Sequence, residues 1–212
     1  MSDDTLPQKP LAPRKSAFLD VETPDDLHIV DVLIEERCPK LRANPAWPLV
    51  RPVLYTMLGY NKARRMADEI VELNGRESFD RLSRELAFDL SVEGIERMPR
   101  EGRLIVAANH PTGLADGVAV WDLLKRVRED IIFFGRLARK EGNRLIEKDW
   151  FSTVIGLAKK QKAPILPLNL DAWNSRLYYL LCNLSGELRD ITLFHELLNK
   201  QGSQIRMTFG QV

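Results

Sequence analysis

Two side chains near the middle of the chain have the types and spacing for acid–base chemistry. His110 and Asp116 lie six residues apart in the string N-H-P-T-G-L-A-D-G, which spans Asn109–Gly117. A histidine can take a proton from a substrate hydroxyl when a carboxylate holds the proton on its other ring nitrogen and fixes the tautomer. The pair therefore predicts a His–Asp dyad, with His110 as general base and Asp116 as its orienting partner.

The chain must bend between these two residues if they are to meet. Neighbours on a helix surface lie three or four residues apart, so residues six apart on one straight helix point to different faces. Pro111 and Gly113 allow the bend. On spacing alone a second interpretation stays open, in which Asp116 is a first-turn acid favoured by the helix dipole and His110 is an ordinary strand-end histidine.

A strand and a helix flank this turn in the sequence pattern. Leu104–Ala108 is an apolar run typical of a strand, and a helical pattern that includes Val118 and Trp121 begins near Leu114. In open α/β folds, ligands bind where the chain leaves the carboxyl end of a strand. We therefore expect an α/β domain in which a mixed β-sheet is flanked by helices.

The whole string resembles the first motif of the glycerolipid (lysophospholipid) acyltransferases, which include 1-acylglycerol-3-phosphate acyltransferases. Within them it is similar to the bacterial hemolysin-like branch, whose motif has the N-H-P-T-G form. The resemblance continues over most of the chain, at Pro48–Asp68, Val92–Gly102 and Ala163–Gly202. It implies acyl transfer from an acyl carrier protein or coenzyme A thioester to the hydroxyl of a lysolipid acceptor, with no bound cofactor and no metal.

The other residues of the motif are assigned to substrate binding. These residues are Asn109, Pro111, Thr112, Gly113 and Gly117. Backbone N–H groups near Thr112–Gly113 are expected to stabilise the thioester oxyanion, because acyl transfer requires donors at that position.

After the motif helix the sequence departs from the family pattern. Phe133–Leu137 (F-F-G-R-L) resembles the front of one family segment joined to the back of a later phosphate-binding segment of the form F-P-x-G. Gly135 and Arg136 then remain as phosphate contacts, because an arginine can bind a phosphate bidentately; the alternative is an ordinary solvated basic loop. We expect either a compact member of the family or an internally deleted form, and a C-terminal truncation is a further expectation.

A third segment, Asn174–Arg176 (N-S-R), resembles a family turn of the form G-R-N-S-R that follows a strand. Asp171–Trp173 replaces the small and basic residues expected before it. Only Asn174, Ser175 and Arg176 are therefore carried over, and Arg176 is assigned to substrate binding.

Composition narrows the class of protein. The chain has 212 residues, a net charge of +1 and two cysteines, which gives no reason to expect nucleic acid as a partner and no disulfide framework. The longest uncharged stretch, Leu104–Ala115, is shorter than the about twenty apolar residues that a spanning helix needs. The acidic N-terminus is unlike a signal peptide. Cys182 lies in the apolar run Leu177–Leu184 and is predicted to be a buried core thiol.

One segment raises the question of a membrane surface. Trp47–Tyr60 is apolar and aromatic, and Lys62, Arg64 and Arg65 follow it at once. This combination suits an element in a membrane interface beside anionic head groups, and a helix packed on the core with a solvated basic end fits equally well. The resemblance favours the interface, and with it a cytoplasmic location, peripheral to the cytoplasmic face of the inner membrane.

The predicted organisation has three parts: a disordered or extended tail over 1–27, an N-terminal helical segment over 28–88 and an α/β domain over 89–212. Helices are expected at His28–Cys38, Asn61–Asn74, Ser78–Leu86, Trp150–Lys160 and Leu188–Asn199, and further strands at Leu90–Glu93, Ile131–Phe134, Ala163–Leu170 and Ser203–Phe209. His28 is expected to start its helix, and Gly75 to cap the end of Asn61–Asn74. Pro164 and Pro167 indicate an edge strand or a bulge.

Two other functions stay beside acyl transfer. One is a catalytically inactive, internally deleted acyltransferase-like protein that binds lipid, and the missing middle segment is its main support. The other is a hydrolase that uses the same dyad on water.

Overall fold

The computed structural model describes residues 28–133, 138–141, 144–147 and 150–211. Ten α-helices, one short 3-10 helix (Ile95–Arg97) and six strands lie within these residues. The helices are α1 (Ile29–Glu35), α2 (Pro39–Arg42), α3 (Trp47–Met57), α4 (Tyr60–Ile70), α5 (Gly75–Leu86), α6 (Leu114–Leu124), α7 (Trp150–Gln161), α8 (Arg176–Leu184), α9 (Gly186–Asp190) and α10 (Leu193–Leu198). The strands are β1 (Asp89–Glu93), β2 (Ile105–Ala108), β3 (Ala138–Glu141), β4 (Arg144–Glu147), β5 (Ile165–Asp171) and β6 (Gln204–Phe209).

Four of the strands form one open, mixed sheet in the order β1-β6-β5-β2. β1 runs parallel to β6 and β2 runs parallel to β5, whereas β5 and β6 are antiparallel. β3 and β4 form a separate antiparallel pair. The predicted α/β class, with a mixed sheet and flanking helices, is confirmed.

The pattern of burial along β6 shows how the sheet meets the core. Ile205, Met207 and Phe209 are buried, while Gln204 and Arg206 are exposed. Successive side chains of a strand point to opposite faces, so this alternation fixes which face of the sheet packs against the helices. The strand predicted at Ser203–Phe209 is confirmed.

β5 is an interior strand, so the edge or bulge predicted from its prolines is wrong. It pairs with β2 on one side and with β6 on the other. Pro167 lies opposite Gly210, one residue beyond the end of β6, and its carbonyl oxygen accepts a hydrogen bond of 2.8 Å from the Gly210 N–H. Pro167 has no backbone N–H to donate, but it lies where the β5–β6 ladder ends. The sheet therefore loses little hydrogen bonding at this position.

Two predicted strand or helix segments are not found as expected. Residues 131–133 form no strand, and Phe134 lies outside the described residues. The single helix predicted at Leu188–Asn199 is divided into α9 and α10. At the break, the N–H and the hydroxyl of buried Thr192 both donate to the Arg189 carbonyl oxygen, at 3.1 and 2.6 Å, which closes a local turn in place of a continuing helix.

Gly75 is not the C-cap that was predicted but the first residue of α5. Asn74 is the N-cap: its side chain accepts from the Glu77 N–H at 3.0 Å, and the Glu77 carboxylate accepts from the Asn74 N–H at 3.0 Å. This reciprocal pair is a capping box. His28 is an N-cap as well, because its Nδ1 accepts from the Val30 N–H at 3.2 Å, which confirms the predicted helix start.

One hydrophobic core includes residues from both sides of the predicted boundary at residue 88. Leu58 and Met66 of the N-terminal helices belong to the same buried cluster as Leu166 and Phe209 of the sheet. Cys182 on α8 is exposed, so the predicted core thiol is wrong there. Within the part of the chain that the structure describes, no helix combines the length and hydropathy needed to cross a membrane.

Candidate active site

The exit from β2 is fixed by the side chain of Asn109. Its Nδ2 donates to the Leu170 carbonyl oxygen at 3.0 Å, and its Oδ1 accepts from the Leu170 N–H at 2.6 Å. The amide group therefore takes the place of a peptide group and extends the pairing of β2 with β5 past Ala108. The structure gives Asn109 a role in positioning the turn, and its assigned contact with substrate stays a prediction.

His110 and Asp116 meet across the turn that follows. His110 Nδ1 lies 3.1 Å from Asp116 Oδ2, and the His110 side chain is 60% exposed whereas that of Asp116 is 3% exposed. Gly113 has a φ of +79°, a backbone conformation that only glycine adopts readily, and it supplies the bend that the spacing requires. The predicted proximity is confirmed, and the catalytic role of the pair stays a prediction.

Asp116 is held in place by the turn itself. Its Oδ2 accepts from the N–H groups of Thr112 at 2.8 Å and Gly113 at 3.1 Å, and its Oδ1 accepts from the Thr112 hydroxyl. Asp116 Oδ2 already accepts from two N–H groups and lies 3.1 Å from His110 Nδ1, so this carboxylate favours the tautomer with the ring proton on Nδ1. His110 Nε2 is then the nitrogen that keeps a lone pair.

These contacts overturn one expectation about the motif. The N–H groups of Thr112 and Gly113 were expected to stabilise a thioester oxyanion, but both donate to the Asp116 carboxylate. A backbone N–H makes one strong hydrogen bond, so neither group is free for an oxyanion in this arrangement. Thr112 and Gly113 therefore hold the Asp116 carboxylate in position.

A second turn meets the motif from the carboxyl end of β5. Asn174 Nδ2 donates to the Pro111 carbonyl oxygen at 3.3 Å, while Asn174 Oδ1 is buried and has no hydrogen-bond partner. Ser175 caps α8, because its Oγ accepts from the Tyr178 N–H at 3.1 Å. The structure thus brings the N-S-R segment next to the N-H-P-T-G segment, as two neighbouring strand-end turns.

Glu196 anchors this second turn, and sequence reasoning missed it. Its side chain is buried, its Oε2 accepts from the Ser175 N–H at 2.7 Å, and its Oε1 accepts from the Ser175 hydroxyl. Lys200 Nζ lies 3.6 Å from the same carboxylate. The available signal was an acidic residue enclosed in the apolar run L-F-H-E-L-L, which indicates a buried carboxylate that needs partners.

The remaining predicted site residues are less informative. Arg176 is exposed and has no hydrogen-bond or ion-pair partner among the described residues. Gly117 lies in α6 where a Cβ would come 3.8 Å from Phe79 Cε1 of α5, so the structure places it at a helix contact. Gly135 and Arg136 lie outside the described residues. In the described part of the chain, no three His, Cys, Asp or Glu side chains converge on a possible metal position.

Polar contacts with α5 fix the helix that carries Asp116. Asp80 Oδ1 accepts from the Trp121 Nε1–H at 2.9 Å, and this hydrogen bond, assisted by Lys125, lowers the pKa of Asp80. Burial by itself raises the pKa of Asp122, but hydrogen bonds from Ser83 and Lys125 outweigh it and the pKa is lowered. α6 is therefore tied to α5 at Trp121 and at Asp122.

The fold and the site together define an α/β protein with a His–Asp pair at the carboxyl end of a strand. Comparisons of the chain with protein-family models, with curated proteins and with solved structures find no match. They assign no family, and the resemblance to the glycerolipid acyltransferases goes forward as a proposal.

Proposed function

We propose that this chain is an O-acyltransferase of the glycerolipid acyltransferase type. It moves a fatty acyl group from an acyl carrier protein or coenzyme A thioester to the hydroxyl of a lysophospholipid or related lysolipid. The observation that supports this function is the 3.1 Å contact between His110 Nδ1 and Asp116 Oδ2, with the imidazole exposed and the carboxylate buried.

In the proposed reaction, His110 Nε2 takes the proton from the acceptor hydroxyl as its oxygen attacks the thioester carbonyl carbon. The new C–O bond gives a tetrahedral intermediate, whose collapse breaks the C–S bond. The protonated imidazole returns its proton to the leaving thiolate, so the dyad ends as it began. Asp116 holds the Nδ1–H throughout and stabilises the imidazolium.

Two arginines are proposed to bind the phosphate of the acceptor. Arg136 comes from the sequence pattern, together with Gly135. Arg176 has the support of geometry, because it is exposed, unpaired among the described residues and two positions after Asn174, which contacts Pro111. A guanidinium with free N–H groups binds a phosphate oxygen pair well.

Peripheral contact with the cytoplasmic face of the inner membrane is part of this proposal. α3 buries Trp47 and Tyr55 on one face and exposes Leu49, Val53 and Met57 on the other. α4 follows with exposed Arg64 and Arg65. An apolar face beside exposed cations supports an element that rests on anionic lipid.

A catalytically inactive lipid-binding protein is the second candidate function. The finding that favours it is the engagement of the Thr112 and Gly113 N–H groups by Asp116, which removes the expected oxyanion donors. Vesicle binding without thioester turnover, with His110→Ala binding as well as the parent chain, would support this candidate.

Thiol release from an acyl-coenzyme A or acyl carrier protein thioester, with and without lysophosphatidic acid, tests the first candidate. We expect acceptor-dependent release from the parent chain and a loss of roughly a hundred- to ten-thousand-fold in His110→Ala. His195→Ala is the matched control. It makes the same change at a half-buried histidine on α10, which is distant in sequence from the turn that carries His110. Equal release from the parent and His110→Ala would remove His110 as the base, and acceptor-independent fatty acid would indicate hydrolysis.

A further inference from the structure

The outer side of α8 is apolar and uncovered. Trp173, just before the helix, and Tyr179, Leu180 and Leu184 along it are all largely exposed, and Leu184 is 67% exposed. We call these four residues and Arg176 the α8 face. Spacings of three and four residues place its helical members on one side of α8, because such residues are neighbours on a helix surface. Clustered large apolar side chains at a surface are typical of an interaction site.

The α8 face begins beside the proposed active site. Asn174, two residues before the helix, donates its 3.3 Å hydrogen bond to the carbonyl oxygen of Pro111, the residue after His110. Leu114, which opens α6 on the other side of the same turn, is also exposed. Exposed apolar side chains therefore lie on both segments that meet at the dyad.

The far end of α8 leads to the helices that carry the other exposed apolar face. Glu187 in α9 accepts from the N–H groups of Lys40 at 3.0 Å and Leu41 at 2.9 Å, at the start of α2. α3 follows α2 along the chain and exposes Leu49, Val53 and Met57. The two uncovered faces thus lie on α8 and α3, whose chain neighbours α9 and α2 are in direct contact.

The charges near the α8 face favour a lipid surface as its occupant. The helix, with the sequence RLYYLLCNL, contains no acidic residue, and its one cation, Arg176, is exposed and unpaired among the described residues. Tryptophan and tyrosine rings beside leucines, with a cation at the edge, are typical of an element at the boundary between head groups and acyl chains. A carboxylate also lies beside Trp173, because Asp171 lines the same surface pocket, but its cross-strand neighbour is Arg206, so that end of the face carries no net negative charge.

We propose that the α8 face contacts the surface of a membrane that contains anionic phospholipid, so that a lipid in that surface reaches the turn that carries His110. The delivery of lipid to His110 rests on the proposed function. The membrane contact does not, and it is measured without turnover.

Cys182 provides a native reporter on the same helix. It is exposed, whereas Cys38 is buried, and burial, together with Glu187 and Glu35, raises the pKa of the Cys38 thiol to about 11. Because the thiolate is the reactive form, an environment-sensitive maleimide dye at neutral pH reacts with Cys182 and spares Cys38. One labelled thiol per native chain, and two after unfolding, confirm the selectivity.

Cys182 lies two residues from both Leu180 and Leu184 and therefore beside the α8 face, so the same dye is also placed in the face itself with Cys182→Ser and Asn183→Cys. The test adds vesicles of phosphatidylcholine and phosphatidylglycerol to both labelled chains. We expect a blue-shifted, brighter dye and quenching by nitroxide-labelled lipid. Leu180→Gln with Leu184→Gln should weaken vesicle partitioning by about tenfold or more, because it removes two apolar side chains from the interface. Asn183→Gln is the matched control, since it changes an exposed polar residue of the same helix and should bind as the parent does.

Three results would decide against the α8 face. The first is vesicle binding by the Leu180→Gln, Leu184→Gln variant that equals that of the parent chain. The second is vesicle binding with no change in the dye, which would leave the contact to α3, as checked by Val53→Gln with Met57→Gln. The third is a dye shift that follows protein concentration without vesicles, which would assign the face to a second copy. Dye insertion in a chain that shows no thioester turnover would support the α8 face and count against the proposed function.

Discussion

α6 and α8 are apolar helices that begin at neighbouring strand-end turns, yet they differ completely in burial. Nine residues of α6 are buried, including both of its acids, Asp116 and Asp122. No residue of α8 is buried to that degree, and its outer face is open. α6 packs against α5 and α10, whereas the main helical neighbour of α8 is α9. An apolar run shows that a helix has an apolar face. Whether that face is buried depends on the elements that pack around the helix.

The two buried acidic residues of α6, Asp116 and Asp122, need hydrogen-bond partners because they are shielded from water. Each accepts hydrogen bonds from residues outside α6: from Thr112 and Gly113 for Asp116, and from Ser83 for Asp122. A buried carboxylate without such donors would be strongly destabilising. The helix that carries Asp116 is therefore tied to its surroundings by polar contacts, whereas the outer face of α8 is uncovered.

The sharpest test of this contrast separates the two acids of α6. Asp116→Asn should lower thioester turnover by roughly a hundred- to ten-thousand-fold, because an amide can no longer hold the Nδ1–H tautomer of His110 in the same way. Asp122→Asn makes the same change at the other buried acid and should leave turnover close to that of the parent chain. Parallel thiol-release assays measure both, and equal losses would mean that Asp116 acts only through the stability of α6.

The difference in burial should appear directly in stability. Trp121→Ala on α6 should lower the free energy of unfolding by about 3–5 kcal/mol, because Trp121 is 3% exposed, packs on Phe79 and donates to Asp80. Leu180→Ala on α8 should change it by about 0.5 kcal/mol or less, since that side chain is largely exposed. Urea unfolding of both variants gives the comparison. A large cost for Leu180→Ala would show that the α8 face is covered in solution.

Acid should weaken the attachment of α6 by a smaller amount. The pKa values of Asp80 and Asp122 are lowered in the folded chain, by hydrogen bonds from Trp121 and from Ser83 respectively. A lowered pKa gives stability that is fully present above the unfolded value of about 3.9 and is lost as the pH falls through the folded value. The melting temperature should therefore decrease as the pH is lowered below about 4. Asp122→Asn should make this decrease with pH less steep. An unchanged slope in the variant would contradict this source of the acid sensitivity.

The strand, turn and helix around the site could be predicted from local sequence patterns. Most of the features that could not be predicted depend on contacts between residues distant in sequence. The strand before Asn109, the bend at Gly113 and the helix from Leu114 follow from short-range signals, and so does the meeting of His110 with Asp116. The direction of the Thr112 and Gly113 N–H groups depends on the backbone angles of the turn, which the residue types alone do not give. The capping box at Asn74 was readable from its spacing to Glu77 and was overlooked.

Burial was the least predictable property because it depends on neighbours. Glu196 anchors Ser175, which is far away in the sequence, so its function has no local signature. Cys182 was assigned to the core from an apolar run no different in kind from that of α6. A proline in a strand indicates a sheet edge, but the ladder beside Pro167 ends where its missing donor would be needed.

The position of β6 has a consequence for the order in which the molecule can be built. β6 lies between β1 and β5 although it is the last of the described strands along the chain, and Asp89 pairs with Gln204 across more than half of the sequence. While the chain is being synthesised, β1 has no other described strand to pair with until β6 is made. Its apolar residues Leu90 and Val92 cannot yet pack against the complete core. Pairing over such distances is slow because a long loop must close first. The nascent chain therefore exposes an unpaired strand until Phe209 has left the ribosome, which is the interval in which a chaperone would act on it.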